Sequence, residues 1–280
     1  LNTIRINFLS YVCILLSFLI LSCGSNSNTE ENINPTEKSE EATPILFYTL
    51  VDSFPHDTTL FTEGLLFHEG KLFESSGAPQ EIDYAKSVVG TVELSSGVFN
   101  KKIEIDREKY FGEGIVIVNN KLYQLTYKNQ VCFVYDLTNY KQIGEFKYSN
   151  NEGWGLTTDG TNIIMSDGTS IINFINPNTF VAERKITVTN NGVVVNNINE
   201  LEYIDGSIYA NIWTTNNIVK IDPASGKITG ILDLNSLKRS ANSMHSMSAE
   251  TNGIAYDSAS KVLLVTGKLW PNYYQIRLPN

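Results

Sequence analysis

One short pattern is written five times in this chain, and it limits the fold more than any other feature. "FTEGLLFHEGKLFESSG" (61–77) has a close echo in "FGEGIVIVNNKLYQLTY" (111–127). Further copies are "GWGLTTDGTNIIMSDG" (153–168), "NELEYIDGSIYANIW" (199–213) and "NGIAYDSASKVLLVTG" (252–267). Each is an apolar run, a turn and a second apolar run, the pattern of a β-hairpin. Aligned on Gly64, Gly114, Gly155, Glu200 and Gly253, successive copies lie 50, 41, 45 and 53 residues apart. A period of about 40 to 50 residues with two strands visible per unit points to propeller blades.

The segments between the hairpins supply two more strands each. "VCFVYDLTNYKQIGEFKY" and "NIVKIDPASGKITGILDL" are again apolar run, turn, apolar run. Their centres carry turn residues, as at Asn176-Pro177-Asn178 and Asp222-Pro223-Ala224-Ser225-Gly226. Proline presets φ for a turn and glycine accepts positive φ. Each unit therefore reads as a four-stranded antiparallel meander. The fifth unit is one strand short, and an unpaired strand, "ILFYTLVDSF" (45–54), stands at the other end of the chain. Pairing the two removes an exposed edge and closes the ring. The expected fold is all-β, a five-bladed propeller over residues 45–280 closed by an N-terminal strand. Little helical periodicity is present, and 234–250 reads as a loop.

The first residues read as a leader instead of fold. An apolar run from Phe8 to Cys23 follows Arg5 and is short for a membrane span. Its end, "LILSCGS", resembles the lipobox of bacterial lipoproteins. That resemblance implies a signal peptide over 1–22, lipidation of Cys23, and a lipid-anchored position in the bacterial cell envelope, facing out of the cytoplasm. Residues 23–44 are polar and acidic, with too little apolar surface to order themselves, and read as a tether. Cys132 is then left alone, so no intramolecular disulfide is available and the core must hold the fold. With 42% hydrophobic residues such a core is possible, and a net charge of −9 argues against a nucleic-acid partner. A monomer is expected, with the membrane reached only through the lipid.

Propeller geometry turns the repeat into a map of a site. The first strand of each blade lines the channel, and the second runs back antiparallel. The start of strand one and the end of strand two thus share one face of the disc. Just before the aligned positions stand Glu63, Glu113, Trp154, Asn199 and Asn252. At the ends of the second strands stand Gly77, Tyr127, Gly168, Trp213 and Gly267, with Lys268 next. Carboxylates, amides, aromatics and a lysine converge on one mouth, the default place for a site. The residues alone leave several readings open. They could bind and transform a small group, ring a Ca²⁺ ion with oxygen ligands as in a metal-dependent hydrolase, serve a non-catalytic binding propeller, or simply satisfy backbone groups at the channel.

The motifs "FTEGLLF", "FGEGI", "EGWGLT", "INELEY", "ANIW" and "GIAYD…VTGKLWP" resemble the glutaminyl-peptide cyclotransferases of the plant and bacterial type. The resemblance spans residues 45 to 280. It implies a five-bladed propeller and a reaction in which an N-terminal glutamine of a peptide or protein closes to pyroglutamate with release of ammonia. It also implies a general acid and base at Glu113, an amide-binding Asn199, pocket tryptophans at Trp154 and Trp213, a lysine at Lys268 and a phenylalanine at Phe61. Lys268 and Asn199 would serve the oxyanion, and no metal or cofactor is required. Two positions depart from the family pattern. Glu63 stands where glutamine is usual, and Tyr127 where tryptophan is usual. Glu63 and Glu113 are expected as close neighbours. A protonated Glu63 would donate a hydrogen bond much as the family's glutamine does.

Overall fold

A computed structural model describes residues 42–278. Cys23, the leader and most of the tether lie outside the described residues. Twenty of the described strands form five four-stranded antiparallel blades, each beginning with one of the repeated hairpins; blade 4 carries a further short strand at its edge, and Thr189–Asn190 pairs with Val193–Val194 outside the blades. Blade 1 runs from Phe61–His68 to Val98–Glu104, and blade 2 from Gly112–Val118 to Gln142–Lys147. Blade 3 runs from Leu156–Thr158 to Ala182–Thr187, and blade 4 from Ile198–Ile204 to Ile228–Asp233. Blade 5 holds Thr251–Asp257, Val262–Gly267, Asn272–Arg277 and, at its edge, Thr49–Pro55. Inner strands are buried on both faces and read as continuous apolar runs. Outer strands such as Gln142–Lys147 are largely exposed and polar.

The core is divided among the five seams between blades. Leu66 and Val89 pack with Ile115 and Leu122 across blades 1 and 2. Val116 and Tyr123 meet Leu156 and Ile163 across blades 2 and 3. Phe174 meets Leu201 and Val219, Leu232 meets Ile254, and Leu264 meets Leu65 across the remaining seams. No blade has a core of its own, so the ring stands or falls as a unit. Cys132 sits buried in blade 2 as a free thiol.

The ring closes as the missing strand required. Thr49–Pro55 pairs antiparallel with Asn272–Arg277, with Ser53 opposite Tyr274. The N-terminal segment is nevertheless not the single strand expected over 45–54. Ile45–Leu46 pairs in parallel with Ile231 and Leu232 at the outer edge of blade 4. Leu46 lies over Gly230, where a Cβ would come within 2.6 Å of its side chain. The chain thus crosses from blade 4 to blade 5 at Phe47–Tyr48. Beyond the closing strand, buried His56 bonds Glu74 of blade 1 at 3.0 Å, and Glu74 also accepts from Thr62 at 2.7 Å and from Tyr273 of blade 5. This network spans the seam that closure creates.

A second difference is the helix Asn235–Met244, where the sequence reads as a loop. Leu237 and Ala241, one turn apart, are its buried residues and pack in the seam of blades 4 and 5. Tertiary burial of a short apolar stripe sustains a helix that propensity alone would not.

Candidate functional site

The residues at the blade starts are aimed by a backbone irregularity. In blades 1, 2, 4 and 5 the ladder between the first two strands shifts register at this level: between Thr62 and Gly64, Gly112 and Ile115, Ile198 and Leu201, and Thr251 and Ile254. Those shifts enclose Glu63, Glu113, Asn199 and Asn252. A bulge leaves its extra residue unpaired and re-aims the side chain. In blade 3 the first strand begins after Trp154, whose N–H donates to Ser166 O at 3.1 Å.

One step deeper the backbones close on one another. A Cβ at Gly114 would lie 2.5 Å from Trp154 O, and one at Gly155 would lie 2.3 Å from Asn199 O. Only glycine permits this approach. The fifth member of this ring is Glu200. Its carboxylate accepts from Leu65 N of blade 1 at 3.2 Å and from Ile254 N of blade 5 at 2.9 Å. Its bonds tie blade 4 to blades 1 and 5 and make a floor one residue deeper than Glu63, Glu113 and Asn199.

Above that floor lies a cavity of about 630 Å³. Phe61, Glu63, Glu113, Tyr127, Trp154, Asn199, Trp213 and Lys268 all line it. Trp154 and Trp213 meet edge to face with centroids 5.6 Å apart, and Trp213 stands at the rim, 38% exposed. Lys268 Nζ lies 2.8 Å from Glu63 Oε1 and 4.5 Å from the centre of the Phe61 ring. The glycines at the second-strand ends make room for neighbouring rings. A Cβ at Gly77 would fall 2.2 Å from the ring of Phe111, and one at Gly168 would fall 2.6 Å from that of Trp154.

Charge in the cavity is set by burial. The Glu63 carboxyl is pushed up to about 7, chiefly by desolvation, against the pull of Lys268 and Asn252. Glu113 is held well above the carboxylate range by desolvation first and by the Glu63 charge second. Burial works against the Lys268 ammonium, yet Glu63 and Glu113 outweigh it and raise it above its ordinary value. Glu63 and Glu113 line one cavity; with its carboxyl raised to about 7, Glu63 takes up a proton near neutrality and can then donate, while its ionised form accepts twice. One oxygen takes Lys268 and the other takes Asn252 Nδ2 at 3.0 Å. A carboxylate so engaged is held in place by its two donors. Among the described residues no side chain hydrogen-bonds the Glu113 carboxyl, which faces the cavity. Asn199 Oδ1 is buried without a partner.

The sequence reading missed three residues here. Phe111 lines the cavity between Phe61, 6.2 Å away edge on, and Tyr127, 5.9 Å away. Glu250 lines it too, and Glu152 accepts from Trp154 Nε1 at 2.9 Å. Their signal was present: each stands two residues before a ring position, as Phe61 does before Glu63.

Comparison with known proteins agrees with this geometry. The profile of the glutamine cyclotransferase family matches residues 16–278. The glutaminyl-peptide cyclotransferase of Arabidopsis thaliana is 38% identical over 259 residues, covering 92% of this chain and 75% of that protein. The crystal structure of Myxococcus xanthus glutaminyl cyclase superimposes with a TM-score of 0.75 at 32% identity, over 85% of this chain and 98% of that one. A five-bladed ring, its one-sided polar mouth and matches over nearly the whole length lead to one conclusion: the chain belongs to the glutamine cyclotransferase family, the glutaminyl-peptide cyclotransferases.

Proposed function

We propose that Glu113 carries the proton in the cyclisation of an N-terminal glutamine. The carrying observation is a buried carboxyl, free of side-chain partners, that faces a cavity walled by aromatic rings. The substrate's α-amine attacks its own side-chain carboxamide carbon, and a C–N bond forms. The proton lost by that amine passes to the Glu113 carboxylate. The same proton then goes to the departing nitrogen, the old C–N bond breaks, and ammonia leaves behind a five-membered lactam. One group acts as base and then acid. Asn199, with a free buried acceptor, holds the carboxamide N–H₂, and Lys268 offers its remaining N–H protons to the developing oxyanion. Trp154, Trp213 and the Phe61–Phe111 pair hold the side chain folded back on its own amine, which removes an entropic cost.

The test is Glu113→Gln assayed for ammonia release from a glutaminyl dipeptide. Turnover falls at least ~100-fold while thermal unfolding is retained. A folded variant with near-normal turnover removes the assignment. The reading extends to position in the cell: the "LILSCGS" sequence supports a chain tethered through lipidated Cys23 to the bacterial envelope. Cys23→Ala then loses the mass of the lipid and leaves the membrane fraction, and an unchanged mass counts against it.

A further inference from the structure

Trp154 is a cavity wall held from behind. Its ring meets Trp213 edge to face, and Gly168 leaves it room. Its Nε1–H donates to Glu152 Oε2 at 2.9 Å. Glu152 itself stands outside the cavity lining. Its other oxygen lies 3.7 Å from Lys128 Nζ, which sits 4.5 Å over the centre of the Tyr127 ring. Two neighbouring walls thus lean on one carboxylate.

The loop that carries this carboxylate is pinned on both sides. Asn150 O accepts from Gln130 Nε2 at 2.9 Å, and Asn150 Nδ2 donates to Asp167 Oδ2 at 2.6 Å. Gly153 N donates to Tyr127 O at 2.9 Å, and Trp154 N to Ser166 O at 3.1 Å. With the backbone fixed around it, Glu152 presents its side chain at a set place. An indole N–H that leaves water needs an acceptor, and a neutral one would serve. A carboxylate is the less favourable choice on electrostatic grounds. Glu63, Glu113 and Glu250 already line the cavity with Lys268, and the Glu152 charge raises the Glu113 carboxyl further. Its distinctive property is a charge-assisted bond, roughly twice as strong as a neutral one. The link to Lys128 is weak, because that lysine is 65% exposed. The strong bond goes to the ring.

We propose that Glu152 is a positioning residue of the cyclisation, fixing the Trp154 ring against which the glutaminyl side chain folds back. This rests on the cyclotransferase reading. The experiment is a double-mutant cycle on ammonia release from a neutral glutaminyl dipeptide. Glu152→Ala should lower kcat on the order of tenfold with a smaller change in KM, because a loosened ring costs orientation more than contact. Glu152→Gln keeps an acceptor for the indole N–H and should recover most of that loss. Trp154→Phe has no N–H to hold, so adding Glu152→Ala to it should change kcat by less than about twofold. Glu152→Met, with similar volume and no oxygen acceptor, replaces Glu152→Ala if that variant does not fold. Unchanged kcat in folded Glu152→Ala, a Glu152→Gln variant equally slow, or an equal loss in the Trp154→Phe background overturns the role, while turnover by the parent leaves the cyclotransferase reading standing. No ammonia from the parent removes that reading, and this role with it.

Discussion

Lys268 and Glu63 form a buried ion pair, Nζ to Oε1 at 2.8 Å, inside the cavity that Glu113 faces. The pair adds to what burial does to the acidity of Glu113. Burial raises that carboxyl, the Glu63 charge raises it further, and Lys268 pulls it down while shared with Glu63.

Glu63→Gln therefore removes a negative charge and frees Lys268 to act on Glu113. Glu113 becomes the stronger acid, so its carboxylate form survives to lower pH. The acid limb of kcat/KM, which reports the free enzyme's base, should move to lower pH. The variant then outpaces the parent below neutrality. Superimposed pH profiles would show that the two carboxyls are not coupled in the reaction.

Gly77→Ala tests the space beneath Phe111. A Cβ there meets the Phe111 ring at 2.2 Å, and the added methyl displaces that wall of the pocket. Overpacking costs about 1–3 kcal/mol of stability, and a displaced wall costs about tenfold to 100-fold in kcat/KM. Gly144→Ala is the control, with nothing within 4 Å of its Cβ. Full activity in folded Gly77→Ala would show that Phe111 does not shape the site.

Stability should fall as pH rises. Glu202, on the opposite mouth of the channel, accepts from Tyr256 N at 2.9 Å and is raised to about 8 by burial, from an ordinary 4.5. A carboxyl raised in the folded state resists ionisation there. Its contribution is full below about 4.5 and is lost as pH climbs through about 8, with an upper limit of about 5 kcal/mol. Glu202→Gln should flatten the decline of Tm between pH 5 and 9 and exceed the parent at the alkaline end. Parallel curves for the two proteins would refute the linkage.

Truncation should act in two stages. Removing residues through Tyr48 deletes the parallel pair on blade 4 and the contact of Leu46 with Gly230, a loss of about 1–2 kcal/mol. Removing residues through Pro55 strips the partner from Asn272–Arg277 and exposes an edge. That protein should aggregate or lose cooperative unfolding. A soluble, cooperative product of the longer deletion would show that closure does not depend on this strand.

The repeat, the blade count, the closing strand and the ring of residues at the blade starts were all legible in the sequence. Each rests on local chemistry copied around the axis: a turn, an alternation, a glycine that only a close approach requires. Once one copy is understood, position in the repeat stands in for position in space. The helix at Asn235–Met244, the split of the N-terminal segment between two blades and the pairing of Glu63 with Lys268 were not legible. Those features depend on distances between blades, and such distances arise only when the ring closes. Glu200 shows the limit most plainly. Along the chain it is one more member of the aligned position where the other copies have glycine. In the folded ring its carboxylate crosses the axis to two other blades, a contact that counting along the chain cannot supply.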